Sequence, residues 1–299
     1  MLLYAVMATC ASAFACDVCG CAAGGQYLGL LPGANRDFIG IQYQYNAFKS
    51  DHPSLFENWP DEHSVNHYNA FQVWGRYTIG RRIQLFGFVP YRYNLQYGDT
   101  AKYTSSGVGD ISLLANIVAV NKDDGQWQHQ LLMGGGIKLP TGRYMGITEM
   151  DKLGLPNLQP GTGSWDLMTN ANYTLKNGVY GVNADVTYAI TTANSSSYKY
   201  GNKLGASAVL FRSVPVGKVE IMPQAGVRYE YALHDYDNYK RKWLNEQSGG
   251  YMTFATVGIQ GQHKKIGARL NCHIPFSQHY SSGYVVARQR LDAVLFILL

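Results

Sequence analysis

Three cysteines stand within six residues of one another, Cys16, Cys19 and Cys21, in the pattern CxxCxC. Soft thiolates at this spacing bind Cu(I) or Zn(II), and beside a pore they can pass a metal on. The same spacing permits a Cys16–Cys19 or Cys16–Cys21 disulfide with one spare thiol, the form an oxidising compartment favours. No distant CxxC or HxxxH completes a four-ligand set, so a metal held here borrows ligands or stays exposed. Cys10 and Cys272 are isolated, which excludes a disulfide framework spread over the fold. A second set, His52, His63 and His67 with Asp51, Asp61 and Glu62, reads either as an outer metal-capture patch or as an ordinary solvated loop. A third set is wholly ionisable: Arg76, Arg92, Asp185, Glu220, Arg228, Glu230, Arg269, His273, Arg288, Arg290 and Asp292. Its meaning depends on the elements that carry it.

Those elements are strands. From Arg36 onward the chain resolves into segments of period-2 alternation: Arg36–Lys49, His67–Ile79, Arg82–Gln96, Gly107–Val120, Trp127–Leu139, Ser164–Lys176, Val179–Thr191, Tyr200–Ser213, Gly217–Ala232, Gly250–Gln262, Lys265–Phe276 and Tyr284–Leu299. That makes twelve, each long enough to cross a bilayer when tilted. Short connections with Asn, Gly or Pro chemistry (Gly80-Arg81, 121–125, Asn177-Gly178, Pro215-Val216, His263-Lys264) alternate with longer intervals. An even strand count with one short and one long set of connections is the pattern of an outer-membrane barrel, whose short turns and termini are periplasmic. A soluble sandwich has no reason to alternate in this way. The fold class expected is therefore all-β, an antiparallel transmembrane outer-membrane β-barrel of about twelve strands.

Composition agrees. Charged residues make up 15% of the 299 and aromatics 13%, with 23 tyrosines and 33 glycines. Soluble proteins carry about 25% charged residues. No apolar run after the N-terminus approaches the roughly 18 residues of a membrane helix. The net charge of +5 is spread out and gives no nucleic-acid footprint. Residues 1–15 read as a signal peptide ending in Ala13-Phe14-Ala15, although the basic start is missing. A lipidated Cys16 is the alternative. Residues 16–35 form a cysteine-bearing periplasmic leader, and 36–299 the barrel.

A cation on the lipid face at mid-bilayer costs about 2–4 kcal/mol, so charges within spans belong on the inner face. The ionisable set obeys this: Ile266, Leu270 and Ile274 oppose Arg269 and His273, and Leu291, Leu295 and Ile297 oppose Arg288, Arg290 and Asp292. The set reads as a charge-selective pore lining, or as a salt-bridge network filling the lumen. Twelve strands lie between the filled interior of eight and the open channel of sixteen. The leader segment Gln26–Leu31 is a candidate partial plug. His273 and Asp292 face inward on adjacent strands, but no inward serine of those strands completes a nucleophile set, so catalysis is not expected.

The run GGGIKLPTGRYMGITEMDKLGLPNLQPGTGSWD, 134–166, carries glycines that suggest a phosphate cradle. A P-loop needs GxxxxGK[ST] between a strand and a helix, whereas Gly142 is followed by Arg143 and Tyr144 and no helix comes after. The run reads instead as a long outer hairpin loop packing over or into the barrel mouth. Three pieces in order, Gly107-Val108-Gly109-Asp110-Ile111, Gly136-Ile137-Lys138-Leu139-Pro140-Thr141-Gly142 and Leu158-Gln159-Pro160-Gly161-Thr162-Gly163-Ser164-Trp165-Asp166, make the middle of the chain resemble the outer-membrane channel family of meta-pathway phenol-degradation transporters. The resemblance covers about sixty residues. It implies an outer-membrane β-barrel of a Gram-negative bacterium that moves a small solute, with lipid and the barrel-assembly machinery as partners. The aromatic-compound label belongs to some members and is not carried over. The cysteine leader is outside the general pattern and resembles a subgroup feature.

The metal and disulfide readings of the leader separate in one measurement. Mature protein under reducing conditions is expected to carry more copper or zinc than its Cys19→Ser variant by elemental analysis. Equal stoichiometry removes the metal reading.

Overall fold

The computed structural model describes residues 28–31, 36–52, 61–99, 101–144, 158–237 and 241–299. The expected signal peptide and the three leader cysteines lie outside the described residues. The strands are β1 (Phe38–His52), β2 (Glu62–Ile79), β3 (Ile83–Gly98), β4 (Lys102–Val108), β5 (Ser112–Asp123), β6 (Trp127–Lys138), β7 (Asp166–Asn177), β8 (Tyr180–Thr191), β9 (Tyr198–Lys199), β10 (Lys203–Arg212), β11 (Val214–Val216), β12 (Val219–Ala232), β13 (Tyr236–Asp237), β14 (Lys242–Trp243), β15 (Gly250–His263), β16 (Ile266–Tyr280) and β17 (Val285–Leu298). β4 and β5 are two parts of one wall strand, both paired with β3. β1 pairs with β17 and β10 with β12, so the sheet closes into a twelve-stranded antiparallel barrel. β9, β13 and β14 form a small separate sheet at the long-loop end.

Alternation places the side chains as the sequence predicts. Ile39, Ile41, Tyr77, Leu210, Ile274 and Leu295 are exposed on the outer face, while Gln42, Trp74, Arg269 and His273 on the opposite parity are buried. An apolar outer face with the charged side chains kept inside is the order lipid demands. Each short turn contains a residue in the left-handed region, Gly178 (φ 54°) and Lys264 (φ 52°) among them, which is what a tight hairpin between right-twisted strands needs.

Three boundaries differ from the sequence reading. β1 and β2 pair out to His52 and Glu62, so the first long interval is shorter than Ser50–Asn66. The interval Tyr97–Ser106 is mostly strand, because β4 starts at Lys102 and pairs with Tyr97. Polar outer ends of strands lack the apolar alternation that marks a span, and pairing alone extends them above the membrane. The hairpin between β10 and β12 turns at Gly217 (φ 61°) instead of Pro215-Val216, which lie in β11.

Gly134 to Gly136 lie inside β6, and close approach of the flanking strands explains them. A Cβ on Gly135 would sit 2.8 Å from the Met168 carbonyl oxygen. One on Gly136 would fall against the Leu113 carbonyl oxygen and 2.8 Å from Leu114 Cα. Gly136→Ala is expected to cost about 1–3 kcal/mol, the range of an overpacked site. Gly261→Ala, whose Cβ would meet nothing within 4 Å, should cost little. Urea midpoints of refolded protein compare the two.

Candidate functional site

The interior is filled at two levels by apolar clusters, each including a segment that is not part of the wall. Toward the short-turn end, Phe38, Trp74, Phe86, Phe88, Phe296 and Leu298 surround Leu28, with Leu31 packed against them. Toward the long-loop end, Phe48, Tyr68, Met252, Phe254, Tyr280 and Val285 surround Leu158. Leu28 is 0% exposed and Leu158 1%. Burying such a side chain is worth about 1.5–3 kcal/mol. Polar side chains fix the two backbones as well. Asn172 Nδ2 donates to Gly29 O (2.9 Å) and Arg269 Nη1 to Leu30 O (2.7 Å), while Asn94 Nδ2 donates to Leu158 O (2.8 Å).

Between these clusters lies a charged tier. Arg290 meets Glu230 through both terminal nitrogens (2.6 and 3.2 Å), and Arg228 Nε approaches the same carboxylate at 2.7 Å. Arg290 also lies over the Phe254 ring at 4.6 Å. His273 bridges Thr256 Oγ1 (2.8 Å) and Asp292 Oδ2 (3.0 Å). Thr256, His273 and Asp292 sit on three successive strands, buried at mid-height. These buried groups tie three strands together.

The remaining expected pore residues are placed as follows. Asp185 accepts from Asn172 Nδ2 (3.0 Å) within the lumen. Arg76 is buried at the short-turn end, donates through Nε to Arg36 O (2.9 Å) and lies over Phe38. Glu220 sits near the same end and accepts from Ser213 Oγ. Arg92 is half-buried beside Gly109. Arg288 is a correction. β17 carries an extra residue opposite Asn46–Phe48, so parity changes between Ala287 and Arg290, and Arg288 is exposed and off the inward row. A bulge of this kind leaves no mark in the alternation pattern.

Of the histidine set, the side chains of His52 and Glu62 lie outside the described residues, and His63 and His67 point to different partners. His63 Nδ1 contacts Asp51 Oδ1 at 2.7 Å, whereas His67 bonds Tyr45 Oη at 2.8 Å on the outer face. Among the described residues no three His, Cys, Asp or Glu side chains are grouped to hold a metal.

The sequence reading did not single out Asp110, Lys138, Thr162 and Asp166, and they form a cluster of their own. Lys138 Nζ lies 2.5 Å from Asp166 Oδ2, 3.5 Å from Asp110 Oδ2 and 2.6 Å from Thr162 Oγ1. Asp110 accepts from the Thr162 backbone N–H (2.8 Å) and hydroxyl (2.8 Å), and from Gly142 N–H (2.9 Å). Ser164 Oγ donates to Asp166 at 2.9 Å. Each of the three motifs that carry the family resemblance contributes, so the motifs are one buried ion cluster at the loop root. Gly142 and Gly161 let the backbones meet there: a Cβ on Gly142 would sit 2.8 Å from Gly161 Cα. The signal that would have found the cluster is lone charges inside glycine- and proline-rich motifs.

With this geometry in hand, likeness to solved structures is decisive for the fold. The chain superposes on the COG4313 outer membrane channel from Pseudomonas putida F1 with a TM-score of 0.67 at 15% identity, over 90% of this chain and 97% of that one. The fold is that of an outer-membrane barrel. The β domain of the Bordetella autotransporter BrkA (TM-score 0.49, 8% identity, 89% and 100% covered) and the translocator domain of NalP from Neisseria meningitidis (0.47, 11%, 90% and 91%) are also similar in outline. No protein-family model matches the chain, and no curated protein matches its sequence.

Removing Lys138 leaves Asp110 and Asp166 facing each other without their cation, and breaking one partner of a buried pair costs about 3–5 kcal/mol. Lys138→Met is therefore expected to free the loop root, read as faster tryptic cleavage at Arg143 in the folded protein. Unchanged cleavage would show that the apolar seat of Leu158 suffices.

Proposed function

We propose that this barrel is an outer-membrane channel for a small solute, closed at rest by its own leader and outer loop. The observation that carries the reading is what fills the lumen. A structural barrel needs only wall side chains packed together, yet here the interior is occupied by Leu28–Leu31 and Leu158, which precede the first strand and lie in the 139–165 loop. Among the described residues, the leader is held by hydrogen bonds from Asn172 and Arg269. Such segments can leave the lumen without opening the wall. Movement would uncover the tier of Arg228, Glu230, Arg269, His273, Arg290 and Asp292 as a mixed-charge constriction. Passage is then passive diffusion, with short turns and both termini periplasmic and the long loops outside. The likeness to the Pseudomonas channel supports this reading. The cysteine leader, continuous with the plug, would place any metal or disulfide at the periplasmic mouth.

The second reading is a permanently plugged barrel whose long loops meet partners. The burial of both plugging leucines favours it. Planar-bilayer recording separates the two. Full-length protein is expected to give brief, infrequent steps, and a form lacking residues 16–35 long-lived ones. Absence of steps in both forms supports the plugged barrel.

A further inference from the structure

Most polar groups of the charged tier are engaged with one another, but a row that starts beside Glu230 and runs round the wall from β10 to β5 is not. Asn116 is 0% exposed, and neither its amide nitrogen nor its oxygen has a hydrogen-bond partner among the described residues. Asn170, 6% exposed, is in the same condition, and the Ser207 hydroxyl, in a residue 8% exposed, also lacks one. Register sets Asn116, Gly134, Asn170, Thr187 and Gly205 side by side on five neighbouring strands. Strand spacing separates the two asparagines by about 10 Å. Only a glycine stands between them, and the Asn116 side-chain oxygen leans over the position its Cβ would take. At the far end of the row, a Cβ on Gly205 would meet no described atom within 4 Å.

Buried amides are nearly always hydrogen-bonded, and each polar group left unmet costs about 1–3 kcal/mol. Two amides in one row, with the Ser207 hydroxyl at the next inward position along β10 from Gly205, are a concentrated cost unless something meets them. Each amide offers a donor pair and an acceptor, and neither carries charge. The charges beside Gly205 and Ser207 balance, two cations, Arg228 and Arg290, against two carboxylates, Glu230 and Asp185. An ion would find no free counter-charge in these pairs, and an apolar solute would leave the amides unmet. We propose that this row is a binding site for a small neutral solute rich in hydroxyl groups, a monosaccharide or polyol, seated against Gly205 and held by Asn116, Asn170 and Ser207. As a step in transport, the site rests on the channel reading above; as a binding site it can be tested alone.

Isothermal titration of the full-length protein in detergent, with arabinose, glucose and sodium gluconate as probes, is the test. Saturable binding of at least one of the two sugars is expected, with gluconate at least tenfold weaker. Asn116→Leu and Asn170→Leu, close in volume but without hydrogen bonds, should each weaken sugar binding about tenfold. Gly205→Leu removes no polar group and should abolish binding by filling the space. Gel mobility before and after heating confirms that each variant is folded, and if an asparagine variant fails to fold, Gly205→Leu carries the test. No sugar binding, gluconate binding as tightly, or wild-type affinity in Gly205→Leu or in both asparagine variants overturns the site and leaves water as what meets the amides. Sugar binding without conductance would sink the channel reading and keep the site; conductance without sugar binding would do the reverse.

Discussion

Closure between β1 and β17 is the constraint on which the rest of this structure depends. In lipid every backbone N–H and C=O of a span must be paired within the protein, and only a barrel without edges achieves this with strands. Phe38 to Ser50 pair with Leu298 to Val285, and the circuit ends where β10 meets β12. Strand number and stagger together fix the width of the lumen. That width exceeds what inward side chains fill in an eight-stranded barrel. The interior therefore recruits extra chain, with Leu28 in the lower apolar cluster and Leu158 in the upper one.

The interior is divided by chemistry as well as by height. Aromatic side chains from β1, β2, β3 and β17 make the lower wall that receives the leader, and the strands from β7 round to β16 face it with amides, hydroxyls and paired charges. An isolated charge in so dry a space is costly, so the cations and anions appear together and share partners. Glu230 serves two arginines, and His273 joins Asp292 to Thr256. Side chains that share partners also hold neighbouring strands in register. The tier thus braces the wall while the plugs occupy the space above and below it.

Much of this was legible in the sequence, because the lipid imposes a period-2 pattern that residues such as Ile266 to Ile274 and Leu291 to Ile297 display openly. Strand number, closure class and the inward parity of Arg269, His273 and Asp292 follow from that pattern. Arg288 was misplaced because a single inserted residue in β17 changes parity without changing composition. β4 was missed for a different reason: Lys102 to Val108 carries no apolar alternation, so nothing in its pattern marks it as a strand. The Asp110–Lys138–Asp166 cluster was hidden by distance, since its members are spread over 57 residues and only folding brings them together.

That cluster changes how the glycine-rich run at 134–166 is understood. Its glycines suggested a loop that cradles a phosphate with backbone N–H groups, and backbone N–H groups do converge there. They converge on the Asp110 carboxylate, from Gly142 and Thr162, with Lys138 as the neighbouring cation. The run therefore binds an anion that the protein itself supplies. An internal anion cannot dissociate, so the two ends of the loop stay joined at its root. Gly142, Thr162 and Asp166 are thereby tied to β5 and β6 by groups that the chain itself carries.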